Sequence, residues 1–211
     1  MHASSRPFFK KTESFQEPSP VHQAQYRSHF TADFHGKSGP ITSVYSKEYS
    51  VPHQYWHTTL NNLGVETNSS HFSGSNLGVW TTLTSVDPKL RTRCYSATAY
   101  YLPNSSRKNL VVLTEAVVNK VVLEKDTMQN EWIAKGVVFT SSGEGYTVRA
   151  SHEVILSAGS VQSPQILELS GVGNPSVIEA AGIPLKVNSP NVGENLQEHM
   201  SKLPSSICEC F

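Results

Sequence analysis

The sequence contains few cysteines. Cys94, Cys208 and Cys210 are its three cysteines in 211 residues. An odd number without a spaced framework argues against a small secreted domain held together by disulfides. A zinc site built on Cys208 and Cys210 would need a second pair of ligands, which the spacing does not supply. We therefore expect no metal site, and we predict an unstructured tail over residues 201–211.

The sequence also has no excess of charge and no long apolar run. Seventeen basic and seventeen acidic side chains give a formal net charge of zero, so electrostatics give no reason to expect nucleic acid or an anionic membrane as a partner. No apolar run approaches the roughly 20 residues that a membrane-spanning helix needs. The first residues, MHASSRPFFKK, lack the apolar segment of a signal peptide. We expect no nucleic-acid or membrane partner and no export signal, and the localisation stays open.

Several catalytic motifs are missing as well. The sequence contains no P-loop, no Cys/His ligand cluster and no Gly-x-Ser-x-Gly nucleophile motif. Glu194 and Glu198 are four residues apart, but like charges at helical spacing usually belong to a solvated face. We assign them no acid–base role.

One helix is predicted over residues 50–63, with Pro52 in its first turn and Gly64 after its end. His53 and His57 are four residues apart on it, so both could reach one metal ion. No third ligand has a defined spacing, and the pattern favours two histidines beside an ordinary core stripe. The predicted stripe consists of Trp56, Leu60 and Leu63.

The pattern changes to strands after Asn109. Leu110–Leu113 is an apolar run typical of a buried strand, and three β-branched segments separated by polar or glycine-rich turns follow it. These segments predict an antiparallel meander over Val117–Glu124, Trp132–Thr140 and Tyr146–Ala150. Residues 1–33, by contrast, show little periodicity and are predicted to be irregular, with one helical turn near Phe8–Lys11.

The most informative stretch is Glu153–Gly173. Its apolar run Val154–Leu156 predicts a buried parallel strand, and small residues follow from Ser157. Ser163 is placed to cap a helix that begins at Pro164, and Gly171 is placed to end it in a left-handed conformation. Ligands of α/β sheets lie beyond the carboxyl ends of such strands. The residues therefore predict a ligand-contact turn, without saying which ligand.

This stretch carries a family resemblance. SAGSVQSPQILELSGVG, residues 157–173, resembles the second signature of the glucose-methanol-choline (GMC) oxidoreductases. PNVGENLQEH, residues 190–199, resembles the V-G-x-N-L-x-D-H segment of that family, with Glu198 where Asp is usual. The upstream segments FHGKSGPI, SATAYYLP and RKNLVVLTEAVVNKVV also follow the family's order. The resemblance covers Pro7 to His199.

The resemblance implies an FAD-dependent enzyme that oxidises the CH–OH group of a small-molecule alcohol by hydride transfer to the flavin. Aryl-alcohol and glucose oxidase-like members are the most similar in sequence pattern, and such relatives are often secreted. The implied fold is α/β (an α+β mix), comprising part of a Rossmann-like FAD/NAD(P)-binding domain and part of a substrate domain with an antiparallel sheet. By this resemblance, residues 34–108 belong to the substrate domain and residues 109–200 to the FAD domain.

Three cofactor-binding residues follow from the same resemblance. Val118 matches the family position whose backbone meets the adenine, and Ala158 and Gly159 match the crossing that passes close to the cofactor. The Gly-x-Gly-x-x-Gly turn, the acidic ribose ligand and the segment with the catalytic histidine have no counterpart in the sequence, and His199 belongs to a different motif. We therefore name no catalytic residue, and we expect an inactive middle fragment of a longer ancestor. The alternative is a non-catalytic remnant or interaction protein without bound flavin.

Overall fold

A computed structural model describes residues 5–198. The chain divides into two compact units, Met1–Val111 and Val112–Phe211. Both contain helices and strands, and the predicted α/β (α+β mix) class is confirmed. The predicted tail at 201–211, with Cys208 and Cys210, lies outside the described residues, as does His199. No helix among the described residues has the length and hydropathy needed to span a bilayer.

The first unit consists of short elements joined by long connections. Its α-helices are α1 (Arg6–Thr12), α2 (Pro20–Tyr26) and α3 (Val51–Asn62). Its strands are β1 (Glu13–Phe15), β2 (Ile41–Ser43), β3 (Val86–Asp87) and β4 (Thr92–Arg93). Single turns of 3₁₀-helix occupy Ala32–Phe34, His71–Ser73 and Leu102–Asn104, and a π-helical turn occupies Ala97–Tyr101. β1 and β2 pair in parallel, and β3 and β4 pair antiparallel.

The prediction that residues 1–33 are mostly irregular is wrong, because β1 and α2 lie there, whereas the helical turn predicted near Phe8–Lys11 is confirmed as part of α1. Both helices have seven residues, which is too short for an apolar periodicity to repeat. Local signals define them instead. Pro20 occupies the first turn of α2, and the side chain of Ser19 caps this helix by accepting the N–H of His22 at 3.2 Å.

The predicted helix at 50–63 is confirmed, but its predicted buried face is wrong. α3 is followed by Gly64, whose φ of +85° is left-handed. Leu63 is 74% exposed and Trp56 is exposed as well, whereas His57 is only 1% exposed. The inward side of α3 is therefore the side that carries His57. Hydrogen bonds make this burial of a polar side chain possible.

The second unit is organised around an antiparallel meander. It contains the strands β5 (Ala116–Asp126), β6 (Glu131–Ser141), β7 (Glu144–Arg149), β8 (Val172–Gly173) and β9 (Val187–Asn188), and the helices α4 (Gly159–Leu169) and α5 (Pro175–Ala180). The predicted meander is confirmed in the order β5-β6-β7. Val121 and Phe139 of the sheet and Ile166 and Ile178 of the two helices are buried.

Two predicted strands are wrong. Residues 110–113 and 154–156 belong to no strand, although both runs are apolar. Val111 is 85% exposed and Ile155 is 75% exposed. An apolar run becomes a buried strand only when neighbouring strands supply its hydrogen bonds and cover its faces. Among the described residues, no strand pairs with either run.

Candidate functional site

The site begins where α4 starts, in the small-residue turn. Ala158 is the N-cap residue, and Gly159 enters the helix with a φ of +88°. α4 therefore starts ahead of Pro164, which lies inside it, and the predicted start at Pro164 is wrong. The hydroxyl of Ser163 reaches back and accepts the N–H of Ala158 at 3.0 Å. Ser163 thus satisfies an amide at the beginning of the helix from within its second turn.

The other end of α4 is bonded to the sheet. The hydroxyl of Ser170 accepts the N–H of Val121 at 2.8 Å and donates to the carbonyl of Ile166 at 2.5 Å. Gly171 follows with a φ of +90°, which confirms the predicted left-handed stop. β5 has only β6 as a neighbouring strand among the described residues. Ser170 therefore occupies part of the edge of β5 that faces away from β6.

A groove of about 740 Å³ lies along the first part of β5 and beside α4. Its walls come from residues 116–119 of β5, from residues 155–157 and from one face of α4. The residues on the helix side are Ala158, Gln162, Gln165, Ile166 and Leu169. They recur at the spacing of a single helical face.

The strand wall of this groove is irregular. The register between β5 and β6 shifts between Val118 and Lys120, so that Asn119 has no partner in the ladder. The side-chain carbonyl of Asn119 instead accepts the hydroxyl of Thr140 at 2.9 Å. Such bulges re-aim side chains and interrupt pairing, and they are frequent beside functional sites.

The structure brings two of the three predicted cofactor residues to one place. Val118 and Ala158, far apart in sequence, both line the groove. Gly159 adjoins Ala158 but is not part of the lining, and a Cβ added to it would meet no atom within 4 Å. Its left-handed φ is what requires glycine.

Gln162 and Gln165 are lining residues that the sequence reasoning missed. Both are exposed, and neither side chain forms a hydrogen bond with the described residues. Their helical spacing could have indicated these two residues, because both follow Ala158 on one face of α4. Starting the helix at Pro164 concealed that relationship, since Gln162 then lay before it.

Of the two histidines on α3, His57 is hydrogen-bonded within the protein. Thr81 donates its hydroxyl to the carbonyl of Tyr26 at 2.7 Å, so His57 Nε2 donates to the Thr81 oxygen at 3.2 Å. Burial, followed by the positive charge of Arg27, lowers the pKa of His57 from 6.5 to about 4. Within the described residues, no three His, Cys, Asp or Glu side chains are grouped to hold a metal ion. His57 is therefore a buried, hydrogen-bonded residue of the first unit.

The two glutamates near the end of the described chain do not form a paired site. Glu194 and Glu198 are both exposed, and neither lies in a helix. Their four-residue spacing therefore does not place them on a common helical face.

Comparison with known proteins identifies the family. The family model described as GMC oxidoreductase matches residues 40–201. The chain is 34% identical over 194 residues to the GMC oxidoreductase family protein Mala s 12 of Malassezia sympodialis, covering 91% of this chain and 31% of that protein. It thus spans about a third of the length of this curated relative.

Solved structures show the same fold. An FAD-dependent oxidoreductase from Chaetomium thermophilum superposes with a TM-score of 0.82 at 28% identity, over 89% of this chain and 32% of that one. A fungal aryl-alcohol oxidase superposes with a TM-score of 0.80 at 25% identity, over 89% and 30% of the two chains. The fold and the matched segments are those of an oxidoreductase of the flavoprotein class. The chain belongs to the GMC oxidoreductase family.

Proposed function

We propose that this chain forms part of the FAD site of an oxidoreductase that acts on the CH–OH group of a small-molecule alcohol. The proposal rests on the observation that Val118 and Ala158 both line one groove. Membership of the family and the similarity to an FAD-dependent oxidoreductase support FAD as the cofactor. The similarity to an aryl-alcohol oxidase supports an alcohol as the substrate.

The groove residues fit one end of such a cofactor. Val117, Val118 and Ile155 offer apolar surface to a flat ring, and Leu169 extends this surface from the helix. The small side chain of Ala158 leaves room at the start of α4, and the space above Gly159 is open. A dinucleotide requires close backbone approach of this kind beside a helix N-terminus. We propose that the groove receives the adenine end, with the backbone of Val118 as its contact.

When bound, FAD supplies a flavin ring that accepts the hydride removed from the alcohol carbon. The residues of this chain would bind and orient the other end of the cofactor. We assign no residue to proton removal, because no described histidine lies at the groove. For the 211 residues taken alone, we propose cofactor contact without turnover.

A groove-filling variant tests the proposal. Ala158→Leu puts a large side chain into the groove, and Ala180→Leu makes the same change at an exposed site in α5. Titration of each purified chain with FAD, followed by quenching of flavin fluorescence, gives the affinities. We expect Ala158→Leu to weaken binding about tenfold or more, with Ala180→Leu equal to the parent chain. Equal FAD affinity in all three chains would overturn the proposed site.

The competing function is a remnant or interaction protein without flavin. The exposed apolar side chains of Val112, Leu113 and Ile155 in the second unit are the observation that favours it, since exposed apolar surface is typical of interaction sites. The same titration separates the two functions. An unmodified chain that leaves flavin fluorescence unchanged at every concentration supports the competing function.

A further inference from the structure

We propose that the side-chain amides of Gln162 and Gln165 bind the polar edge of the base in the groove and select a 6-aminopurine. This inference rests on the proposed function, because it concerns the same groove. The family match assigns no such role to these two glutamines, and neither of them is among the cofactor-binding residues predicted from the sequence.

The position of the two amides follows from the geometry of α4. Gln162 and Gln165 lie on the groove side of the helix, on the same face as Ala158 and Leu169. The strand wall opposite them is formed by Ala116, Val117, Val118 and Asn119. The two amides are therefore polar groups on the helix wall of a groove whose other side is mainly apolar.

Their hydrogen-bonding state supports a role toward a ligand. Neither amide bonds to any described residue, although Asn119 on the strand wall is bonded to Thr140. Both glutamines are exposed, so their donors and acceptors remain accessible to a molecule in the groove. Ligand sites commonly combine apolar walls with a few polar groups that fix orientation.

The chemistry of a carboxamide matches adenine. One glutamine presents an acceptor oxygen and an N–H donor side by side, and adenine presents an amine donor beside a ring-nitrogen acceptor. Bidentate pairing of Gln or Asn with adenine is a recurrent solution for this reason. A purine without the 6-amino group retains the ring nitrogen but loses the donor. The carboxamide oxygen would then face the base without a partner.

The test compares two nucleotides by isothermal titration calorimetry with the full 211-residue chain. The probes are ADP and the diphosphate of purine riboside, which carries hydrogen where adenine carries its amine. We expect the unmodified chain to bind ADP about tenfold more tightly, because one hydrogen bond to the base is lost in the analogue. The double variant Gln162→Met/Gln165→Met preserves side-chain length and should reduce this preference to the part that the Val118 backbone contributes.

A matched control and the opposing outcomes keep the test specific. Gln129→Met changes an exposed glutamine in the β5–β6 turn, away from the groove, and should retain the preference for ADP. Circular dichroism of each variant checks its fold. If the double variant binds and prefers ADP as strongly as the unmodified chain does, the amides do not read the base, while the proposed cofactor groove stands. If the unmodified chain binds neither probe, both the inference and the groove assignment fail.

Discussion

The hydroxyl of Ser170 accepts the backbone N–H of Val121 at 2.8 Å across 49 residues of sequence. Ser170 is only 2% exposed, so water cannot replace this partner. The contact ties the end of α4 to the outer edge of β5. These two elements also supply walls of the groove.

Replacing Ser170 with alanine should destabilise the second unit. Ser170→Ala leaves the buried N–H of Val121 without its acceptor, and an unsatisfied group of this kind costs about 1–3 kcal/mol. Urea unfolding measures the loss of free energy. Ser160→Ala, at an exposed position of the same helix, should change stability by only about 0.5 kcal/mol. Similar losses in both variants would contradict a specific role for the Ser170 hydroxyl.

Two helix-terminal glycines should respond differently to alanine. Gly171 and Gly182 have φ values of +90° and +70°, so alanine is strained at both positions by about 1 kcal/mol. At Gly171 the new Cβ would also collide with the carbonyl oxygen of Pro184, whereas at Gly182 it would meet nothing within 4 Å. We expect Gly171→Ala to lower the thermal unfolding midpoint clearly more than Gly182→Ala. Equal midpoints would contradict the close approach of Pro184.

The burial of His57 predicts acid sensitivity of the first unit. Its pKa is lowered from 6.5 to about 4 chiefly by burial, so the unfolded chain binds a proton more readily than the folded chain. The stabilisation is complete above pH 6.5 and declines as the pH falls toward 4, by up to about 3 kcal/mol. Unfolding free energies measured at neutral pH and near pH 4.5 should differ less in His57→Gln than in the parent chain.

A control isolates this contribution. His152 is exposed, and His152→Gln should retain the pH dependence of the parent chain. Burial also lowers the pKa of His71 to about 4, so part of the acid sensitivity should remain in His57→Gln. An unchanged pH dependence in His57→Gln would show that His57 is not the group responsible.

The carboxylate of Glu13 should stabilise the folded state of the first unit. It accepts the Gly36 N–H at 2.8 Å, the Ser43 hydroxyl at 2.5 Å and the Nδ1 of His35 at 3.2 Å. Burial alone would raise the pKa of Glu13, but these hydrogen bonds outweigh it and hold the pKa below 4.5.

Glu13→Gln removes charge-assisted bonds and should cost about 2 kcal/mol. Glu17→Gln makes the same change at an exposed residue and should be close to neutral. Denaturant unfolding of the two variants measures the difference. A loss for Glu17→Gln as large as that for Glu13→Gln would point to a general charge effect.

The meander and the glycine stops after α3 and α4 could be predicted from the sequence because their signals are local. Alternating β-branched residues and a glycine turn define β6 and β7, and Gly64 and Gly171 follow α3 and α4 in left-handed conformations. These preferences act over a few residues, so no distant partner is needed to recognise them.

Long-range packing explains why the other predictions were wrong or incomplete. The apolar run at 154–156 has the composition of a buried strand, but strand formation depends on partners that composition does not reveal. The burial of His57 depends on Thr81, which the sequence does not connect to α3. The lining of the groove could be predicted only in part: the family resemblance indicated Val118 and Ala158, whereas Gln162 and Gln165 can be recognised only once α4 is known to start before Pro164.

The local pairing of β5, β6 and β7 has a consequence for the order of folding. Tight turns join these strands, and hairpins of this kind form within microseconds. The bond between Val121 and Ser170 closes a far longer loop, and long-range closure is the slower event. We therefore expect the groove to form late in folding, when α4 docks on the meander. A ligand that binds there would act on the late docking step and slow the departure of the helix, while leaving the early meander unaffected.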